Sequence, residues 1–281
     1  MTTPKHLHRT LLAPQSLAII GASDDPAKTT GRPLSYLRRT GWNGRIYPVN
    51  PQREIVQGEK AWQSVESLPE AIDHAMILSH TARVLDTVES CARAKVGAVS
   101  ILAGGFTESG DEALQNKILA IARDAGMRIL GPSSIGYADP RCGLMLTANA
   151  AFAESYPANG RLFVASHSGS MIGALASRGA ARGIGFAGLV SVGVEADVTL
   201  GEICMAALED PQIDGFLLFL ESLRNAGDIR RFAIAAAEAG KPVIAYKLGR
   251  SAQAAELAQS HTGAMAGEDA VADAFFRACG I

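Results

Sequence analysis

The sequence predicts an α/β protein made of two doubly wound units, and three observations support this fold class. Short apolar runs alternate with longer amphipathic runs, which is the pattern of parallel strands joined by helices. Hydrophobic residues make up 48% of the 281 residues and charged residues only 19%. Glycine is frequent, with 29 residues, whereas aromatic residues make up 6%. Small residues allow the tight turns and close helix–sheet packing of α/β proteins.

The first half of the chain contains short apolar runs that predict strands, separated by amphipathic helices. The predicted strands are Ser16–Gly21, Arg45–Val49, His74–Leu78, Ala98–Leu102 and Arg128–Leu130. The predicted helices with clear apolar spacing are Thr81–Lys95 and Asp111–Ala125. Such a βα series favours a mainly parallel sheet that is covered on both faces.

A second βα series follows a less regular segment. Residues Asp139–Gly160 contain two prolines and little periodicity, so we expect an excursion plus a linker there. We therefore expect two domains, 1–150 and 151–281, the second of about flavodoxin size. Its predicted strands are Arg161–Ala165, Gly188–Val192, Gly215–Leu220 and Pro242–Lys247. Its predicted helices are Ser168–Arg182, Leu200–Leu208, Ala226–Ala239 and Ala266–Cys279.

Charge and composition exclude several classes of partner. The net charge is −2 and the basic residues are scattered, so no strong field favours nucleic acid or an anionic membrane. No apolar run is long enough to predict a membrane span or a signal peptide. The four cysteines show no CxxC spacing, which predicts reduced thiols in a cytoplasmic protein without a metal site of its own.

The first strand–turn–helix junction predicts an anion site. A turn that begins at Gly21 and leads into a helix start exposes backbone N–H groups, and Lys28 and Arg32 add positive charge. An ordinary βα turn without a ligand is the alternative. The turn is not a GxGxxG motif, and the second strand runs into Val49-Asn50-Pro51 without a terminal acidic residue, so NAD is disfavoured.

Other loops fall at the same edge of the predicted sheet. The carboxyl ends of parallel strands share one edge, which aligns Ser23, Asn50, His80 and Gly104-Gly105 along a single crevice. Gly104, Gly105 and the glycines of Gly131–Gly136 predict that the backbone closely approaches either a ligand or the neighbouring loop. The residues leave these two possibilities open.

The second half contains three polar segments with possible chemistry. Ser166–Ser170 lies between a strand and a helix, where it can bind phosphate or merely cap the helix. Glu221 ends an apolar strand, where it can orient an imidazole or be a solvated strand end. His261 is a single histidine in a polar, glycine-rich loop, which taken alone is usually unremarkable.

The first half contains the motifs GAS…K…G…YPVNP, AGGFTESG and GPSSIG, in this order. Together they resemble the CoA-binding domain of NDP-forming acyl-CoA synthetases, a family that includes the succinyl-CoA synthetase α subunit. The resemblance implies a Rossmann-like CoA-binding domain followed by a flavodoxin-like CoA-ligase domain. It departs from the family at Ser133 and Ser134, where Asn and Cys are usual, and at Gln52, where Lys is frequent. The CoA contacts that it implies are Gly21, Ala22, Ser23, Lys28, Val49, Asn50, Pro51, Ser79, Gly104, Gly105, Phe106 and Pro132.

The second half resembles the same family at its phosphohistidine loop. Ser260–Gly267 reads SHTGAMAG and matches S-H-T-G-A-x-A-G, which implies that His261 is the phosphorylated nucleophile. The segment Phe219-Leu220-Glu221 resembles Y-L-E, which implies that Glu221 orients the histidine. The phosphate-binding residues implied by the resemblance are Ser166, Ser168, Gly169, Ser170 and Gly263.

Two further positions of the second half are variants of the family pattern. His167 stands where Gln or Arg is common, and we interpret it as a variant position and not as the nucleophile. Val194 replaces the Asn of G-N-E-A-D, and Asp197 of the same motif is predicted to cap the following helix.

The resemblance also implies what the chain lacks. The family uses an ATP-grasp unit for ATP or ADP and Mg²⁺, and this sequence contains neither such a unit nor a GxxxxGK[ST] loop. We therefore expect an ATP-grasp partner domain or subunit, an oligomer, and binding of CoA and acyl-CoA. The implied reaction passes a phosphoryl group from acyl phosphate through His261 to ADP. A CoA-binding module without turnover is the alternative.

Overall fold

The computed structural model describes residues 4–104, 106, 111–153, 155–248 and 269–281. In its first half the strands are β1 Ser16–Ile20, β2 Arg45–Val49, β3 Ile55–Val56, β4 Glu59–Lys60, β5 His74–Ile77, β6 Ala98–Ile101 and β7 Arg128–Leu130. Five of them form a parallel sheet in the order β2-β1-β5-β6-β7. The remaining pair, β3 and β4, forms a small antiparallel hairpin.

Helices cover both faces of this sheet, and the strands are accordingly apolar. The helices are α1 Pro4–Leu7, α2 Arg32–Arg39, α3 Val84–Arg93 and α4 Glu112–Asp124. All residues of β1, β5 and β6 are buried, as expected for parallel strands between two helical layers. On α3, Val84, Val88 and Cys91 are fully buried at the predicted helical spacing.

The second sheet contains both parallel and antiparallel strands. Its strands are β8 Gly136–Asp139, β9 Leu144–Thr147, β10 Asn159–Ser166, β11 Phe186–Ser191, β12 Gly215–Leu220 and β13 Val243–Lys247. The order is β13-β12-β10-β11-β8-β9, and β8 and β9 run antiparallel to their neighbours. The helices that follow its strands are α5 Gly169–Ala180, α6 Leu200–Leu208, α7 Ala226–Glu238 and α8 Asp269–Cys279.

The predicted α/β class with two doubly wound units is confirmed by these two sheets. In each sheet the chain order reverses beside the first parallel strand, between β1 and β5 in one and between β10 and β12 in the other. Ligands of open α/β sheets bind outside the carboxyl ends of the strands at such reversal points. The topology therefore marks one edge of each sheet as a candidate site.

The prediction of an excursion plus linker over Asp139–Gly160 is wrong in its first part. Leu144–Thr147 is a buried strand, and with Gly136–Asp139 it extends the second sheet. Each of these strands has only four residues, too few to show a period in the sequence, and their pairing partner lies far along the chain. The boundary near residue 150 stays a prediction, although strand pairing assigns Gly136 and later residues to the second sheet.

Ion pairs join the end of the first sheet to the second unit. The Arg128 guanidinium lies 2.9 Å from Asp197 and 3.0 Å from Glu202. Asp197 also accepts a hydrogen bond from the Ile129 backbone N–H at 2.7 Å. The prediction that Asp197 caps the following helix is wrong, because α6 begins at Leu200 and is capped by Thr199. The Asp197 carboxylate is instead held by Arg128.

We expect the buried His74 to make stability depend on pH. Its side chain is fully buried, with Nε2 2.6 Å from Ser100 Oγ, and burial lowers its pKa to about 3. In the unfolded chain this histidine is protonated below about pH 6.5, whereas in the folded chain it stays neutral. The contribution of His74 to the free energy of unfolding is therefore complete above pH 6.5 and falls by about 1.4 kcal/mol per pH unit below it. Urea unfolding at pH 7 and pH 5 measures the effect.

The control is His74→Asn, which removes the titrating group. The free energy of unfolding of the wild type should fall by about 2 kcal/mol more than that of the variant between these two pH values. Equal losses in both proteins would contradict the assignment of this effect to His74.

Candidate functional site

The turn after β1 lies against the end of β5, at the reversal point of the first sheet. Gly21 donates its N–H to Val49 O at 2.9 Å and has a φ of +85°, which favours glycine. A Cβ atom at this position would lie 3.4 Å from the Ser79 backbone nitrogen. The structure thus brings together Gly21, Val49 and Ser79, three of the residues predicted to bind CoA.

Side chains from neighbouring loops hold the same turn in place. The Asn50 amide donates to Ala22 O at 3.0 Å, and the Gln57 amide donates to Ser23 O at 2.8 Å and to Gly31 O at 2.9 Å. Lys28 is exposed on the turn. Asn50 therefore supports the loop through its side chain, while Lys28 remains accessible to an anion.

The remaining predicted CoA residues have different environments. Gly104 lies near this edge, where its carbonyl accepts the Thr81 hydroxyl at 3.2 Å. Phe106 is 1% exposed and packs in the core of the first unit, so its side chain has a packing role. Ser79 Oγ is buried and makes no hydrogen bond to any of the described residues. Pro51 is exposed after β2. Gly105 lies outside the described residues.

The loop after β7 connects this edge to the second unit. Pro132 O accepts the Val194 N–H at 3.1 Å, and Gly131 O accepts the Ala196 N–H at the same distance. Ser134 is fully buried and donates its hydroxyl to Ser191 O at 2.6 Å. Pro132 therefore lies where the predicted CoA edge meets the second sheet, and Ser134 has a structural role in joining the two.

The end of β10 and the start of α5 form the second candidate site. Ser166 is fully buried and donates its hydroxyl to Ser168 O at 2.8 Å. Ser168 is the N-cap residue of α5 but makes no side-chain capping bond, and its Oγ lies 3.1 Å from Ser170 Oγ. Gly169 is the first residue of the helix. The first N–H groups of the helix therefore lack the capping side chain that would otherwise occupy them.

Glu221 lies directly beside this helix start. Glu221 follows β12, the strand next to β10, and it is 6% exposed. Its backbone N–H donates to Nδ1 of His167 at 2.9 Å, and the His167 N–H donates to Phe219 O at 3.1 Å. The structure thus brings Glu221 and Ser166–Ser170 together at the reversal point of the second sheet.

Glu195 is a site residue that the sequence analysis missed. Its Oε2 lies 2.9 Å from His167 Nε2, and its Oε1 accepts the Leu200 N–H at 2.5 Å. Burial raises the pKa of the Glu195 carboxyl, but His167, the Leu200 N–H and Asn225 outweigh burial, and the net pKa is lowered. The sequence GVEAD does not indicate that its glutamate is buried. The left-handed backbone of Glu195, with a φ of +54°, is a property of the fold that the sequence does not reveal.

The predicted nucleophile His261 and the neighbouring Gly263 lie outside the described residues. Among the residues that the structure describes, no group of three or more His, Cys, Asp or Glu side chains has the arrangement of a metal site. In the same part of the chain, no helix has the length and apolar character needed to cross a bilayer.

Comparison with protein families identifies both halves of the chain. Residues 15–140 match the family model of a CoA binding domain. Residues 159–281 match the model of a succinyl-CoA ligase like flavodoxin domain. These matches confirm the predicted order of a CoA-binding domain followed by a flavodoxin-like domain.

Curated relatives and a solved structure extend this finding over almost the whole chain. An ADP-forming acetate–CoA ligase of Methanocaldococcus jannaschii is 34% identical and matches 95% of the chain and 37% of its own length. Subunit alpha of ADP-forming acetate–CoA ligase II of Pyrococcus furiosus is 34% identical, matching 95% of the chain and 58% of its own length.

The structure is similar to dinucleotide-forming acetyl-coenzyme A synthetase 1 of Ca. Korarchaeum cryptofilum, which was solved with phosphate and ADP. The TM-score is 0.90 at 29% identity, over 99% of this chain and 59% of that one. The chain thus spans between about a third and three fifths of the length of these proteins. By its two domains and its relatives, the chain belongs to the NDP-forming acyl-CoA synthetase family, as the α-type part.

Proposed function

We propose that the chain binds CoA and acyl-CoA and carries the phosphohistidine of an ADP-forming acyl-CoA synthetase. The observation that supports this most strongly is the position of Glu221. Glu221 is buried and follows β12, next to the strand that leads into α5, and Ser168 at the start of α5 makes no side-chain capping bond. A carboxylate next to a helix N-terminus suits a phosphorylated imidazole, since the carboxylate stabilises the charged ring and the helix N–H groups bind the phosphoryl oxygens.

The proposed reaction has three steps in the direction of ATP formation. A phosphate oxygen attacks the thioester carbon of acyl-CoA, the C–S bond breaks, and CoA leaves as acyl phosphate forms. An imidazole nitrogen of His261 then attacks phosphorus, and the free acid leaves with the bridging oxygen. Finally an oxygen of ADP takes the phosphoryl group and restores the neutral imidazole. The reverse sequence forms acyl-CoA at the expense of ATP.

The residues of this chain contribute positioning and charge to these steps. Lys28, which is exposed on the Gly21–Gly31 turn, binds a phosphate of CoA through its fixed positive charge. Ser168, Gly169 and Ser170 bind the transferred phosphoryl group at the start of α5, and the buried Ser166 supports them through its hydrogen bond to Ser168 O. Fixed dipoles of this kind stabilise the charge that develops on the phosphoryl oxygens.

The nucleotide requires a partner. We infer that an ATP-grasp domain or subunit supplies ADP or ATP and Mg²⁺, because the sequence contains no GxxxxGK[ST] loop and the relatives are longer than the matched region. One of these relatives is named a subunit alpha. Assembly with such a partner makes the working protein an oligomer or a longer chain.

We expect Lys28→Ala to weaken CoA binding by roughly tenfold, since one charge-assisted contact to a phosphate is lost. Isothermal titration with CoA measures the change. Lys5→Ala is the control, because Lys5 is also exposed but belongs to α1, before β1, and not to the turn that follows β1. Unchanged affinity in Lys28→Ala would contradict the assignment of the CoA phosphates to this turn.

Phosphoryl labelling separates the synthetase from a CoA-binding module without turnover. The chain, assembled with an ATP-grasp partner, is incubated with [γ-³²P]ATP and separately with ³²P-labelled acetyl phosphate. A synthetase half takes up an acid-labile, base-stable label. CoA binding without any label from either donor would favour the module.

A further inference from the structure

His167 extends the hydrogen bonding between β10 and β12 beyond the end of the strands. Its backbone N–H donates to Phe219 O, and its ring Nδ1 accepts the N–H of Glu221 at 2.9 Å. The last register pair of the two strands is Ser166 with Phe219. The imidazole therefore takes the position of a backbone carbonyl and fixes the first residue after β12, which is the proposed histidine-orienting glutamate.

The ring also lies against a second carboxylate, that of Glu195. Because Nδ1 accepts the Glu221 N–H, the ring proton is on Nε2, and this atom faces Glu195 Oε2 at 2.9 Å. Glu195 is held in turn by the Leu200 N–H at 2.5 Å and the Asn225 amide at 3.4 Å. The side chains of His167 and Glu195 are 5% and 4% exposed, so both are buried from solvent.

This geometry excludes His167 as the phosphoryl acceptor. An attacking imidazole needs an accessible lone pair, whereas the Nδ1 lone pair of His167 is engaged by Glu221 N–H and its Nε2 faces Glu195. A side chain that is 5% exposed is also closed to acyl phosphate. A buried ring with both nitrogens facing protein groups can still determine where its neighbours lie.

We propose that His167 is a positioning residue for phosphoryl transfer: its ring, oriented by Glu195, holds the Glu221 backbone so that the Glu221 carboxylate meets the phosphohistidine. The proposal rests on the proposed function of Glu221. An error of about 1 Å in the placement of a catalytic group can lower a rate by about 100-fold. Loss of a hydrogen bond to the backbone of that group is therefore expected to slow the reaction.

The test compares His167→Leu with His167→Gln. Leucine has a similar size but offers no acceptor, whereas glutamine offers an oxygen to Glu221 N–H and an amide donor to Glu195. We expect His167→Leu to slow labelling of residue 261 by roughly 10- to 100-fold and His167→Gln to stay within about threefold of wild type. His167→Met, which fills irregular space without an acceptor, replaces the leucine variant if that variant does not fold.

A double-mutant cycle shows whether His167 acts through Glu221. In a Glu221→Gln background, His167→Leu should slow labelling by no more than about threefold, because the group that it positions is already gone. An equal loss in both backgrounds, or a wild-type rate in His167→Leu, would overturn the proposal. CoA affinity, measured in parallel, should not change.

Amide hydrogen exchange separates this proposal from the proposed function. The Glu221 N–H should exchange slowly in wild type and in His167→Gln, and at least tenfold faster in His167→Leu. If the wild type takes up no phosphoryl label, the proposed function fails, whereas the exchange rates still report the hold on Glu221. Unchanged Glu221 exchange in His167→Leu refutes that hold whatever the labelling shows.

Discussion

Replacement of His261 with Ala should abolish ATP formation from acyl-CoA, phosphate and ADP in the assembled enzyme. The proposed route has a covalent phosphoryl intermediate on this imidazole, and alanine offers no nucleophile. CoA should still bind with wild-type affinity, since the predicted CoA contacts all lie before residue 133. Coupled assays of ATP formation, together with titration of CoA, measure both properties on the same preparation.

The control for this substitution is His8→Ala. His8 lines a surface cavity with Gln15 and Gly44, which directly precede β1 and β2, so it lies at the amino ends of these strands and its variant should keep full activity. Substantial ATP formation by His261→Ala would show that the phosphoryl group reaches ADP by another route.

Glu221→Gln should slow phosphoryl transfer by about 10²- to 10⁴-fold, since neutralising a carboxylate that orients a catalytic histidine can lower a rate by as much as about 10⁴-fold. The amide keeps the size of the side chain but cannot stabilise a positively charged ring. Because Glu221 is buried at the end of β12, its backbone contact with His167 should survive the substitution. Single-turnover labelling of the protein by ³²P-acetyl phosphate measures the rate.

Glu209→Gln is the matched control, because Glu209 is an exposed residue at the end of α6. It should label at the wild-type rate. If Glu221→Gln labels as fast as this control, Glu221 does not orient the phosphohistidine.

Much of the fold follows from the sequence because parallel strands between two helical layers must be apolar throughout. The runs Arg45–Val49, Arg128–Leu130 and Gly215–Leu220 have in the structure the bounds predicted for them. The hairpin of β8 and β9 escaped prediction, because its pairing with β11 depends on contacts distant in sequence. The N-terminal helical segment was missed too, although Leu7 and Leu11 are buried in the core.

The candidate site was predictable where a motif specifies a local structure. The turn after β1 and the start of α5 are set by glycines and serines next to strands, and both lie where the βα pattern implies. The contacts of His167 and Glu195 were not predictable, since they join loops that follow different strands. The contact of Asp197 was also not predictable. A helix-capping role was reasonable from the sequence, but the Asp197 carboxylate forms an ion pair with Arg128 of the first sheet.

The location of the phosphoryl group tests the account most directly. Wild-type protein, labelled in the presence of its partner and digested at neutral to basic pH, can be mapped by mass spectrometry with electron-transfer fragmentation. We expect a single phosphoryl group on His261, which is lost in acid and on addition of ADP. A phosphoryl group on His167, on a serine of Ser166–Ser170, or on no residue of the chain would contradict it.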